Sequence, residues 1–203
     1  MVNEHFWVIV KTGVVKRADG SAMFKIGNTR AIAAVYGPRE LHPKFLQNPE
    51  KGVLRCNYNM MGFSGAGERV RPGPNRRAKE LSLVIEKALT PVLDLTSYPN
   101  AVIDIYVELL ETDAGTRCAA ICAAAMALAD AGIPMKDLVS SVSVGDFEGT
   151  LMLDINSYED CDLGATDIPI AIMPRSGEIT LLQMDGKIKK EQLKEALKMG
   201  IKA

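Results

Sequence analysis

Apolar and polar residues alternate over Val53–Met60, with Leu54, Cys56, Tyr58 and Met60 on one side and Val53, Arg55, Asn57 and Asn59 on the other. That period of two predicts a half-buried strand. Ser21–Ile26 and Arg30–Tyr36 are apolar-rich and flank Gly27-Asn28, which predicts a β-hairpin. Further on the period changes. Leu81, Val84, Ile85, Ala88, Leu89 and Val92 recur at helical spacing, so a helix capped by Asn75 is expected to run to about Leu93, with Pro91 shortening or kinking it. Ala101–Leu110 reads as a strand. Asp113–Ala131 reads as an alanine-rich helix stopped by Gly132 and Pro134, and it is apolar on most sides, as a central buried helix is. Strands are expected near Val139–Val144, Thr150–Ile155, Ile168–Met173 and Ile179–Met184, and a last helix over Lys190–Met199. Gly62–Pro74, rich in Gly, Pro and Arg, reads as a loop. This order predicts an α+β fold of largely antiparallel sheets packed with helices. No stretch looks like a linker, so residues 1–203 are read as a single domain.

Composition narrows the function classes. At 203 residues, 47% hydrophobic and 24% charged, the chain is long enough to bury a core and too apolar for wholesale disorder. The net charge of −1, from 24 basic and 25 acidic residues, leaves anion binding to local clusters rather than to a basic surface. The longest apolar run, Cys118–Ala129, has 12 residues, whereas a membrane-spanning helix needs roughly 20. Phe6–Val10 follows Glu4 and His5 and lacks the form of a secretory signal, so a cytoplasmic location is expected. The four cysteines form no C-x-x-C pair, and the only histidines are His5 and His42. No zinc site is expected, and the cysteines read as buried free thiols. Histidine-based catalysis is poorly supplied, which leaves carboxylates and arginines to carry any reaction.

Three clusters have the equipment for such chemistry. In Glu111-Thr112-Asp113-Ala114-Gly115-Thr116-Arg117 a strand ends, a glycine turn follows and a buried helix begins. Free amides at a helix start bind anions, and the macrodipole adds to them. Gly115 lets an anion approach the backbone, Thr116 adds a hydroxyl, and Arg117 adds a fork that suits phosphate. A tight strand-to-helix connection, with Arg117 paired to a structural carboxylate, would read the same way. The second cluster, Glu68 to Arg77, carries Arg69, Arg71, Arg76 and Arg77. Arg76 and Arg77 fall in the first helical turn, where cations are unfavourable by roughly 0.3–1 kcal/mol each. Either something anionic such as a nucleic-acid backbone faces them, or they form a solvated face with Arg76 and Glu80 as a pair. The third cluster is the acidic run Asp154, Glu159, Asp160, Asp162 and Asp167. Its carboxylates could hold Mg²⁺ or supply a general acid, and equally they describe a polar loop. Together the three would suit cleavage of a phosphodiester by a second anion.

Several motifs, in order, carry a resemblance. Val14-Val15-Lys16-Arg17-Ala18-Asp19-Gly20-Ser21-Ala22, Gly27-Asn28-Thr29, Ala33-Ala34-Val35-Tyr36-Gly37-Pro38 and Arg71-Pro72-Gly73-Pro74-Asn75-Arg76-Arg77 are followed by Asp113-Ala114-Gly115-Thr116-Arg117, Ala129-Asp130-Ala131-Gly132-Ile133-Pro134-Met135 and Asp167-Ile168-Pro169-Ile170-Ala171. From about Gly13 to Gln183 the chain resembles the ribonuclease PH family, most of all the catalytic ribonuclease PH-like branch of the archaeal exosome. The resemblance implies a ribonuclease PH fold and a hexameric ring around an RNA channel. In that ring a related non-catalytic subunit alternates with this one, and RNA-binding cap subunits sit above. It implies processive 3′-to-5′ phosphorolysis of single-stranded RNA, with inorganic phosphate as co-substrate and nucleoside diphosphates as products, reversible as RNA tailing.

Carried over residue by residue, the resemblance implies that Gly115, Thr116 and Arg117 hold the attacking phosphate. It implies that Arg76 and Arg77 hold RNA phosphates, with Arg69 and Arg71 beside them as RNA contacts. Asp167 becomes the catalytic carboxylate, protonating the leaving 3′-oxygen or binding Mg²⁺ with Asp160 or Asp162. Two departures stand out. Met1–Val10 does not match the family's arginine-rich opening, and Asp160 to Asp167 is one residue longer than the usual spacing. An inactive ring scaffold, or a bacterial-type ribonuclease PH that trims tRNA 3′ ends as a homohexamer, are the alternatives.

Overall fold

The computed structural model describes residues 7–65, 71 and 75–203. Arg69 and most of the Gly62–Pro74 loop lie outside these residues. The first sheet contains β1 (Val8–Thr12), β2 (Gly20–Ile26), β3 (Thr29–Glu40), β4 (Val53–Met60) and β5 (Ala101–Glu111), in the order β1-β2-β3-β5-β4. Its neighbours are antiparallel except β4 and β5, which run parallel because α1 (Arg76–Leu89) lies between them in sequence. The second sheet contains β6 (Ser140–Phe147), β7 (Thr150–Leu153), β8 (Thr166–Met173) and β9 (Glu178–Leu182), ordered β7-β6-β8-β9 and antiparallel throughout.

Between the sheets runs α2 (Thr116–Asp130), packed on β2 and β3 on one side and β6 and β8 on the other. All its residues are buried except Arg117, Met126, Ala129 and Asp130. Alanine suits this place: it has the highest helix propensity and a side chain short enough for strands to approach from two sides. The main core gathers Ile85 and Leu89 from α1, Ile103, Ile105 and Leu109 from β5, and Ile121 and Leu128 from α2. A smaller core of Val144, Ile168, Ile170, Ile172 and Ala196 lies between the second sheet and α3 (Lys190–Lys202).

The alternation over Val53–Met60 and the hairpin about Gly27-Asn28 are borne out. Asn75 caps α1 by accepting the Ala78 amide at 2.8 Å. That helix gives way at Thr90 to a short 3₁₀ turn containing Pro91. The buried helix begins at Thr116 rather than Asp113, because Ala114 and Gly115 both take φ of 57°, outside the helical region. Cys56, Cys118 and Cys122 are buried free thiols, but Cys161 is exposed. It sits on an irregular turn, where no periodicity marks an inner face.

The contact between β2 and the end of α2 is backbone against backbone. A Cβ at Gly20 would lie 2.1 Å from the Ala131 amide nitrogen and 2.5 Å from the Ala127 carbonyl oxygen. The next amide, of Ser21, donates to Asp130 Oδ2 at 2.9 Å. Gly20→Ala must therefore push the helix off the sheet. It should lower stability by about 1–3 kcal/mol, read as a reduced urea midpoint with an unchanged slope.

Candidate active site

The start of α2 is held open by its neighbours. Gly115 is the N-cap residue, in the left-handed conformation at φ 57° and ψ 14°, and no side chain caps the helix. Its amide end thus stays available to a ligand. The Thr29 hydroxyl fixes the preceding turn from both sides, donating to the Ala114 carbonyl at 2.7 Å and accepting the Asp113 amide at 2.9 Å. Asp113 ties in two further segments: it accepts Asn28 Nδ2 at 3.0 Å and the Ser157 amide at 2.8 Å. Burial works to raise its pKa, but these hydrogen bonds outweigh burial and hold the Asp113 carboxyl below the usual range.

Arg117 points from this helix start towards the second sheet. Its Nη1 donates to Gln183 Oε1 at 2.7 Å, and its Nη2 lies 3.9 Å from Asp167 Oδ2. Asp167 also accepts a short hydrogen bond from the Ser143 hydroxyl. Its main chain pairs with that of Asp185, with N–H to O distances of 2.9 and 2.8 Å in the two directions. Asp160 stands on a turn of π-helical geometry over Tyr158–Asp162. Burial and the charges of Asp167 and Asp185 push its carboxyl up, against the pull of Arg117 and Arg77. Two arginines and two carboxylates therefore act on Asp160.

The cleft itself has a volume of about 400 Å³, and Arg77, Thr116, Tyr58, Asn75 and Asp160 are among the residues that line it. Arg77, Thr116 and Asp160 line the cleft, and Gly115, Arg117 and Asp167 adjoin it without lining it. Arg76 and Arg71 are exposed and do not line the cleft. Asp162 is exposed at the end of its turn, and Arg69 lies outside the described residues. Neither Arg76 nor Arg77 takes part in the ion pairs found among the described residues, so the Arg76–Glu80 pair of the solvated-face alternative is not formed. Gln183, Ser143, Asp185 and Tyr58 join the site without a sequence signal of their own. Gln183 and Asp185 arrive through strand pairing at the end of β8, and Ser143 from the neighbouring strand β6.

Asp154 backs the anion loop. It adopts φ of 53°, and its carboxyl is so placed that Cβ atoms at Gly27 and Gly115 would meet its oxygens at 2.9 and 3.1 Å. Burial, then the charges of Asp113 and Glu159, push it up to about 6.

Residues 8–134 match the 3′ exoribonuclease family, domain 1, and residues 137–203 match domain 2 of that family. Over 193 residues the chain is 54% identical to the exosome complex component Rrp41 of Pyrococcus furiosus, covering 95% of this chain and 76% of the relative. It is 51% identical, over 193 residues, to the component of the same name from Methanopyrus kandleri, with 95% and 80% covered. Among solved structures, rice Rrp46 superposes with a TM-score of 0.85 at 25% identity, covering all of this chain and 91% of that one. The Archaeoglobus fulgidus exosome with RNA bound to the active site contains a chain of the same fold, with a TM-score of 0.83 at 22% identity and coverage of 98% and 85%.

Asp154 gives a pH prediction. A carboxyl raised from 3.8 to about 6 on folding favours the folded state while protonated. Its contribution is complete below about pH 4 and is lost as the pH rises through the folded value. Asp154→Asn stays neutral at every pH. Its melting temperature should therefore gain on that of the parent between about pH 4 and pH 7 and level off above, as read by calorimetry across that range.

Proposed function

The chain belongs to the 3′ exoribonuclease family of ribonuclease PH type, with the α+β fold expected of it, and on that premise we propose that it is the catalytic subunit of an archaeal exosome-like ring. It shortens single-stranded RNA from the 3′ end by phosphorolysis and releases nucleoside diphosphates. The observation that carries this reading is the meeting of Arg117, at the open start of α2, with Asp167 on β8. The helix start and a carboxylate otherwise distant in sequence meet there.

In this mechanism the amides at Gly115 and Thr116, the Thr116 hydroxyl and the Arg117 guanidinium bind inorganic phosphate. Arg77 holds the phosphate of the terminal RNA linkage. An oxygen of the bound phosphate attacks that phosphorus, the bond to the 3′-oxygen breaks, and the leaving oxygen takes a proton. Asp167 supplies that proton as the general acid, beside Asp160, whose carboxyl is pushed up by burial and then by the charges of Asp167 and Asp185. The same pair fits Mg²⁺, which takes one or two carboxylates and completes its shell with waters and phosphate oxygens. Among the described residues no group of three or more His, Cys, Asp or Glu is gathered into an all-protein site. When bound, Mg²⁺ would neutralise charge on the phosphoryl oxygens.

The ring partners are a related non-catalytic ribonuclease PH-like subunit and RNA-binding caps. Support for assembly comes from Trp7 and, on the edge strand of the first sheet, Val8, Ile9 and Val10, a run of exposed large apolar side chains. The place of action in this reading is the cytoplasm. No helix among the described residues is long and apolar enough to cross a membrane.

The test is shortening of 5′-labelled RNA by the chain with its ring partner, with and without inorganic phosphate and Mg²⁺. Phosphate-dependent shortening with diphosphate products is expected. Monophosphate products in saturating phosphate would replace phosphorolysis with hydrolysis, and an inert assembled ring would establish the scaffold alternative. Asp167→Ala should abolish turnover and leave RNA binding nearly intact. Arg76→Glu with Arg77→Glu should weaken RNA binding and flatten its dependence on salt, by about 0.7 in log–log slope for each RNA phosphate that is no longer neutralised. An unchanged slope would return both arginines to a solvated face.

A further inference from the structure

Arg117 and Asp167 face each other without closing. Their charged groups approach no nearer than 3.9 Å, from Nη2 to Oδ2, although both side chains are mostly withdrawn from solvent. That distance is beyond hydrogen-bond reach. An arginine and a carboxylate so placed frequently meet through two parallel hydrogen bonds, as Arg55 and Asp104 do in this protein at 2.6 and 3.0 Å. Something holds Arg117 and Asp167 apart.

Each of the two is bonded instead to a neutral group. Arg117 Nη1 donates to Gln183 Oε1 at 2.7 Å, and the Ser143 hydroxyl donates to Asp167 Oδ1. A guanidinium has donors only, so the Gln183 amide must present its oxygen to it. The second sheet places both neutral partners. Ser143 on β6 is paired with Pro169 on β8, and from the other side the Gln183 amide donates to the Pro169 carbonyl at 3.2 Å. Asp167 lies two residues before Pro169 and on the same face of β8. The bridge from Asp167 to Asp185 fixes the register of the segment that carries Gln183. The hydroxyl and the amide therefore flank the carboxylate, one from each side of β8.

The neutrality of residue 183 matters as much as its position. A carboxylate there would hold the guanidinium equally well and would cancel its charge. An amide oxygen orients it and leaves that charge available at the start of α2. We propose that Gln183 is a positioning residue for the binding of inorganic phosphate: it holds Arg117 off Asp167 and presents an uncancelled guanidinium to an anion at Gly115 and Thr116. The inference rests on the reading of that loop as the phosphate site.

Inorganic phosphate is titrated calorimetrically into the full chain and its variants. Gln183→Glu keeps the size and the acceptor and adds a charge. Its phosphate dissociation constant should rise about tenfold, while the melting temperature without phosphate holds or rises, a split that loss of structure would not produce. Gln183→Leu removes the acceptor and should raise the constant about fivefold, because phosphate must then order a guanidinium free to turn. Met184→Glu adds the same charge at the exposed neighbouring residue and should stay within about twofold of the parent. Parent-like affinity in Gln183→Glu overturns the role of a neutral acceptor, and so does an equal loss in Met184→Glu, since added charge alone would then account for it. Parent-like affinity in Gln183→Leu overturns it too, because Arg117 would need no holding. All three of those results leave the phosphate loop standing. A parent chain that binds no phosphate removes the reading of the loop, and this inference with it.

Discussion

α2 cannot slide along its own axis, because its alanines lie against strands of both sheets and the glycine at the start of β2 meets the main chain at its C-terminal end. That immobility sets the position of everything at the other end. The helix delivers Thr116 to the cleft and Arg117 towards Gln183 and Asp167, and the first sheet delivers Tyr58 and, through α1, Arg77. The second sheet brings Asp167 to meet Arg117. A helix packed by long flexible side chains would tolerate small shifts by rotamer change. One packed by methyl groups has no such slack, since interiors at crystal-like density transmit displacement rather than absorb it.

The loop that precedes the helix depends on a second constraint. Asp113 and Thr29 join the β2–β3 turn, the end of β5 and the acidic turn near Ser157 into one knot of hydrogen bonds. The left-handed residues Ala114 and Gly115 lie at its centre. Such a conformation in a residue with a side chain costs of order 1–3 kcal/mol and persists where the surroundings over-determine it. Here they do, and the strain leaves the first amides of α2 facing the cleft instead of a capping side chain.

Elements governed by local periodicity were legible from residues alone. The alternation of β4 follows from one face packing on α1 and the other lying open, and the hairpin at Gly27-Asn28 follows from its turn residues. The start of α2 was not legible, because Ala114 is an ordinary helix former and only its tertiary contacts hold it left-handed. Arg76 and Arg77 are equivalent in sequence but about 100° apart around a helix, so one turns to the cleft and the other away. Asp185 and Gln183 have no motif to announce them. They reach Asp167 and Arg117 because of how the chain returns alongside β8, a register set by side chains remote from the site.

The cleft also gathers groups that are individually unfavourable. Asp160 carries a proton affinity raised by its burial and its acidic neighbours, and Asp154, half-buried behind the anion loop, is raised to about 6. Arg77 sits at the positive end of a helix dipole. Asp146 Oδ1, away from the cleft, is buried without a hydrogen-bond partner among the described residues, whereas other buried charges are met. Asp104, for example, receives Arg55 through two hydrogen bonds of 2.6 and 3.0 Å across neighbouring strands. An anion at the start of α2 would offset the positive charge of Arg77 and Arg117. Arg117 also faces Asp167, so such an anion and that carboxylate would be coupled through one guanidinium.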